Sequence, residues 1–179
     1  PISGQMSSTS HDKGDPELPD LSHITFPPKE EVNRREALES KDGYQSYLAR
    51  ILDAQNNGVL GNDVRPYEMS KYEQALAEIT AGKKTSKWIP YIWPRHLAFG
   101  YTHNPEFCVT SLSAVIAWCN NDVLRERFVT ITGKAAEWIA MGSPLEEIFG
   151  SEDDFGRFRT CITMFHEAAK LRRFEDVRQ

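Results

Sequence analysis

Five consecutive residues, Lys83-Lys84-Thr85-Ser86-Lys87, put three ammonium groups and two hydroxyls into one turn, with Arg95 and His96 a short way beyond. Such a turn could cradle an anion, a phosphate or a nucleotide. It follows a helix C-terminus, where the helix dipole itself favours lysines, so a solvated, helix-capping turn accounts for the same residues. It is not a P-loop: the glycine spacing is wrong, and that cradle sits at a helix N-terminus. Just after the turn, Trp88, Tyr91, Trp93, Phe99 and Tyr101 form an aromatic cluster. These rings could stack on a base, or fill the core beneath a segment without regular structure.

Other reactive residue types do not assemble into a site. His166-Glu167 opens like a zinc helix, but the fourth position on is Lys170 rather than histidine. His96 and His103 have no cysteine or carboxylate at ligand spacing, so no metal is expected. Cys108, Cys119 and Cys161 lie on apolar helical faces, where a buried thiol is inert. Glu152-Asp153-Asp154 could be paired acids. After Ser151, however, they fit the first turn of a capped helix.

The elements that must carry these groups are helical. Ser70 and Glu73 form a capping box, Gly82 stands at a C′ position, and Tyr72, Ala75, Leu76 and Ile79 share one face. Tyr47, Leu48, Ile51 and Leu52 stripe an earlier helix ending near Gln55, followed by a Gly/Asn/Asp loop over 56–66. Pro90 and Pro94 make 83–101 irregular. Pro105 is expected to begin a helix with Val109, Leu112, Val115, Ile116 and Cys119 inward, and Asp122 to cap the next. That next helix carries Leu124, Phe128 and Ile131, and takes in the strand-like run Val129-Thr-Ile-Thr132 because an isolated strand would lack a partner. Ser143-Pro144-Leu-Glu146 signals a short helix ended by Gly150, and Phe158, Ile162, Phe165 and Ala169 stripe the last one. The expectation is an all-α fold: a single multi-helix domain over 44–179, preceded by a polar Ser/Pro/acidic extension over 1–43. Within that extension, residues 33–40 could form a short charged helix.

The 179 residues are 40% apolar, enough for one core, and carry a formal charge of −5. That charge argues against bulk binding to nucleic acid or anionic lipid, though a local basic patch remains compatible with it. No apolar run approaches the roughly 20 residues of a membrane span. Three widely spaced cysteines fit free thiols in a reducing intracellular compartment, the cytosol by default, with an organelle interior also compatible. The chain begins at Pro1, which fits removal of an initiator methionine or of a targeting peptide.

Several blocks in order resemble the family known as domain of unknown function 1810. They are Asp53-Ala54-Gln55, Tyr72, Ala75-Leu76, Glu78, Gly82-Lys83-Lys84, Ser86, Trp88, Pro94, Ser111-Leu112, Ile148 to Ser151, Asp153-Asp154 and Thr163 to Phe165. The resemblance runs from about Tyr47 to Ala169. It implies a compact helical fold without an established substrate or cofactor. The chain departs from the family pattern where Lys87 replaces a histidine, Pro90 a tryptophan, Trp93 a phenylalanine and Arg95 a glutamine. Near the C-terminus Arg157 replaces a lysine, and Thr160 and Cys161 replace serines. The family's C-terminal helix is expected to end early, after Phe174. By resemblance, Gln55 and Tyr72 are retained polar positions that would face a family groove beside Lys83, Lys84 and Trp88. A buried glutamine satisfied by the backbone fits Gln55 equally.

Because polar positions changed and no catalytic constellation is complete, the leading expectation is a non-catalytic interaction protein. It would be an accessory or structural subunit docking on a protein partner through its helical domain and N-terminal extension. The rival is a binding protein or enzyme for an anionic, nucleotide-like small molecule, using Gln55, Tyr72, Lys83, Lys84, Lys87, Trp88 and Arg95. No cofactor is implied.

Overall fold

The computed structural model describes residues 28–58, 70–100 and 102–176. The extension up to residue 27, most of the 56–66 loop and Tyr101 of the aromatic cluster lie outside them. The architecture is all-α: α1 Lys29–Lys41, α2 Gln45–Asn57, α3 Lys71–Thr80, α4 Ile89–Ile92, α5 Leu112–Asn120, α6 Asp122–Ala140, α7 Leu145–Phe149 and α8 Glu152–Asp176. Among the described residues no helix is long and apolar enough to cross a membrane.

Helix α3 starts at the capping box: Glu73 N–H donates to Ser70 Oγ, and Ser70 N–H to the Glu73 carboxylate. It ends at Gly82, whose φ of +71° disfavours any other residue. A Cβ at Gly82 would also lie 2.9 Å from the Trp138 ring. The close approach lets Trp138 Nε1 donate to Ile79 O at 2.9 Å, which fastens α6 across the end of α3. The run Val129–Thr132 is helical, inside α6.

Five local expectations are corrected. The helix foreseen from Pro105 is broken into a 3-10 turn, Pro105–Phe107, an extended stretch, and α5. Val109 is buried, but through a parallel bridge to His96, and Ser111 rather than the proline starts α5 by accepting from Ala114 N–H. Asn121, not Asp122, caps α6 by accepting from Leu124 N–H. At α7 the boundary falls on Pro144, without a Ser143 side-chain cap. On α8 the inward residue of the last stripe position is Ala168, with Ala169 exposed, and the helix runs past Phe174 to Asp176.

The core gathers around Trp93. Its ring meets Phe158 at 4.7 Å, Trp88 at 5.5 Å and Phe149 at 5.7 Å, mostly edge to face. Phe165 extends the core by stacking on Phe128 at 4.0 Å and meeting Trp118 edge-on. This places α4, α7 and α8 around one aromatic centre, so the segment over 83–100 is fixed with the single turn of α4 as its one helix.

Helix α1 is fastened by charge rather than by apolar area. Arg35 donates to the carbonyls of Pro105, Glu106 and Cys108 and, through Nε, to Glu39 at 2.7 Å. Arg50 Nη1 adds a bond to Glu106 O at 2.8 Å, and the buried Glu39 accepts from Thr110 Oγ1 at 3.1 Å.

Candidate functional site

Glu78 organises the basic turn. Its carboxylate accepts from Thr85 N–H (2.8 Å), Ser86 N–H (3.1 Å), Ser86 Oγ (2.5 Å) and Trp88 Nε1 (2.8 Å). Burial opposes its ionisation, but these donors outweigh burial and hold the carboxyl below its ordinary value. Trp88 is thereby aimed inward and is 1% exposed. It belongs to the core rather than to a ligand-stacking surface.

The seven residues foreseen at a groove fall into separate places. Gln55 is buried; its Nε2 donates to Tyr91 O at 2.9 Å and its Oε1 accepts from Arg127 at 3.1 Å. Arg127 also lies over the Tyr72 ring at 4.9 Å, and Tyr72 donates to Arg127 O at 3.3 Å. Gln55 and Tyr72 therefore meet, but as a fastening between α2, α3 and α6. Lys84 forms an ion pair with Asp154 at 2.8 Å and sits 5.8 Å from the Trp88 ring. Lys83 is exposed on the outer side of the turn. Lys87 and Arg95 are the two that reach concave surface.

That surface is a chain of three adjoining hollows. The first, about 340 Å³, is lined by Lys71, Gln74, Ser86, Lys87, Tyr91 and Asn104, among others. Pro90 and Asn104 are shared with a constriction of about 10 Å³, which also touches Trp93, Thr102 and Cys108. Arg95 and Arg157 are shared in turn with a third hollow of about 480 Å³, where Phe99, Asp153, Arg159 and Thr160 contribute. Along this trough stand five cations, Lys71, Lys87, Arg95, Arg157 and Arg159, against one carboxylate among the described residues, Asp153. Asp153 is already held by Arg157 through Nε and Nη2, both at 2.9 Å.

Electrostatics at the arginine end follow from this placement. Burial lowers the Arg95 pKa and the Arg157 charge adds to the effect, while Cys108 and Asp153 oppose it. A guanidinium still stays protonated, so the two positive groups remain side by side. Burial pushes the Cys108 thiol up to about 11 against the pull of Arg95, Arg35 and Arg157, which leaves it neutral and unreactive near pH 7. Cys161 is buried and its thiol is pushed up too, whereas Cys119 is half-exposed rather than buried as its helical face implied. Among the described residues no group of three His, Cys, Asp or Glu is placed to hold a metal.

Sequence reasoning did not nominate Gln74, Asn104, Arg157 or Arg159 for the site. Arg157 carried a usable signal: by the resemblance, it and Arg95 both depart from the expected pattern, and both line the second and third hollows. Asn104 had none, because its place depends on the 3-10 turn that follows it.

Among solved structures, the chain is similar to the conserved hypothetical protein Rv1873 from Mycobacterium tuberculosis, with 25% identity and a TM-score of 0.55. That likeness covers 68% of this chain and 76% of the other. No curated protein matches. Residues 45–178 match the family described as Protein of unknown function (DUF1810), and the chain belongs to that family.

Proposed function

We propose that the protein binds an anionic small molecule in the trough between Lys87 and Arg159, without catalysing its conversion. The observation that carries this reading is the inversion of charge: in a chain of net −5, three hollows that share lining residues carry five cations and, among the described residues, one carboxylate. Clefts lined by one sign of charge concentrate ligands of the other sign. Arg95 and Arg157 offer the planar donor forks that suit phosphate or carboxylate oxygens. Phosphate, pyrophosphate, nucleotides and phosphosugars should each raise the melting temperature relative to chloride of equal ionic strength. The Arg95→Gln/Arg157→Gln chain should not respond. A flat response of the unaltered chain across that panel would overturn the reading.

A second reading, an accessory subunit docking through its helical domain and N-terminal extension, draws on a different surface. On α6, Val129, Gly133, Ala136 and Ala140 are exposed at i, i+4, i+7 and i+11, so they share one uncharged face. Small residues there allow a partner helix of apolar character to approach closely. The endogenous protein should then elute inside a larger particle that an Ala136→Glu chain fails to join. Elution of both at the monomer mass would dismiss it.

A further inference from the structure

Resting on the anion-binding reading, we infer that the trough takes a phosphate monoester of a polyhydroxylated, sugar-like group, with the phosphate at Arg95 and Arg157 and the hydroxylated part in the first hollow. The two ends differ in the chemistry they offer. At the Arg95–Arg157 end the donors are guanidiniums, and the nearby carboxylate is engaged by Arg157. Arg159, on the same hollow, has no ion pair among the described residues. A doubly charged phosphate group neutralises this imbalance and accepts from both forks.

The first hollow adds neutral amides to its two lysines, Lys71 and Lys87. Lys71 Nζ already donates to Gln74 Oε1 at 3.1 Å, which turns the Gln74 amide donors toward other acceptors. The half-buried Asn104 side-chain amide has no hydrogen-bond partner among the described residues, so it presents both a donor and an acceptor. Hydroxyls, which donate and accept, match such amides better than carboxylates do. Tyr91 and Phe107, edge to face at 5.6 Å, supply an apolar wall.

The constriction between the ends decides how the parts are joined. At about 10 Å³ it has room for roughly one water-sized group, so the link between hydroxylated body and phosphate must be thin. An ester oxygen with its methylene satisfies this. A second ring at that point does not.

The test is calorimetric titration of the full chain with inorganic phosphate, glucose, glucose 6-phosphate, ribose 5-phosphate and adenosine monophosphate. The sugar phosphates should bind tighter than inorganic phosphate by roughly tenfold, the gain from two or three added neutral hydrogen bonds. Gln74→Ala/Asn104→Ala should remove that gain and leave the phosphate affinity within about twofold. Arg157→Gln should weaken phosphate and ester alike, with an unchanged melt in buffer as the control for folding. Equal affinity for phosphate and its sugar esters would overturn the bipartite site while leaving the anion reading in place. Adenosine monophosphate binding tighter than both sugar phosphates would overturn it in favour of base recognition. No binding by phosphate or any ester would overturn both.

Discussion

Arginines gather at two places in this molecule, and the difference lies in what stands beside them: backbone carbonyls in one, open volume in the other. Beneath α1, Arg35 donates to three backbone carbonyls and one carboxylate, and Arg50 adds a further carbonyl bond. Glu39 is buried there and accepts from Arg35 and Thr110. Along the trough, Arg95, Arg157 and Arg159 border open volume, with one carboxylate among the described residues, Asp153. The same side chain is a rivet in the first place and, on the proposed function, a receptor in the second. Residue type did not separate them; adjacent space did.

Breaking the rivet should have the largest effect on stability. Glu39→Ala leaves Arg35, whose side chain is only 15% exposed, facing the interior without its carboxylate. Removing one partner of a buried pair costs about 3–5 kcal/mol. Urea unfolding should show that loss, with α1 and the 105–110 segment losing amide protection first. A loss below about 1 kcal/mol would mean that the carbonyls alone hold Arg35, and the contrast between the clusters would shrink.

Glu78 is a smaller rivet of the same kind. Glu78→Gln weakens the acceptor for a 1%-exposed Trp88 indole and two backbone N–H groups, at a cost of about 1–3 kcal/mol. Its folded pKa lies below the ordinary value of 4.5, so its contribution is fully present above that value and lost as pH falls through the folded one. Melts between about pH 5 and pH 3 should therefore fall less steeply for Glu78→Gln than for the unaltered chain. Identical slopes would assign the acid sensitivity to other carboxylates.

How far this organisation could be read in the chain depends on the sequence distance each feature spans. Ser70 with Glu73, and Gly82, are local signals, and α3 begins and ends where they stand. The composition from Pro105 on permits a helix, yet the structure has a 3-10 turn over Pro105–Phe107. Arg35, some seventy residues away, binds the carbonyls of Pro105, Glu106 and Cys108, while Pro105 O also accepts from Cys108 N–H and closes the 3-10 turn. The site divides in the same way. Lys87 and Arg95 were visible in a basic segment, and both border the trough. Gln55, Tyr72, Lys84 and Trp88 looked equally polar or exposed in the chain, yet each has a partner from another part of it: Arg127, Asp154 or Glu78. Only tertiary contacts reveal which polar groups are already engaged.

The lysines of the basic turn repeat the comparison at lower stakes. Lys84 is 11% exposed and paired with a mostly covered Asp154, so Lys84→Ala should cost about 1–2 kcal/mol, between an exposed and a buried pair. Lys87 is exposed on the rim of the first hollow, and Lys87→Ala should stay within about 0.5 kcal/mol. Equal losses would show that the turn responds as a unit to its charge.

The smallest expected change in stability belongs to Arg157, and it sharpens the contrast most. Arg157→Gln removes a pair with Asp153, whose side chain is 70% exposed, a contact worth little. It also removes the positive charge beside Arg95, which relieves repulsion. The two effects oppose, so the urea midpoint in chloride should move by less than about 0.5 kcal/mol in either direction. In phosphate the outcome should differ. An anion held at ten times its dissociation constant stabilises the folded chain by about 1.4 kcal/mol, and that increment should vanish in the variant. A rivet behaves in the opposite way, with a large loss in chloride and an undiminished phosphate increment. If Arg157→Gln gives that pattern, the arginines of the trough are structural, and the distinction drawn from the open volume beside them fails.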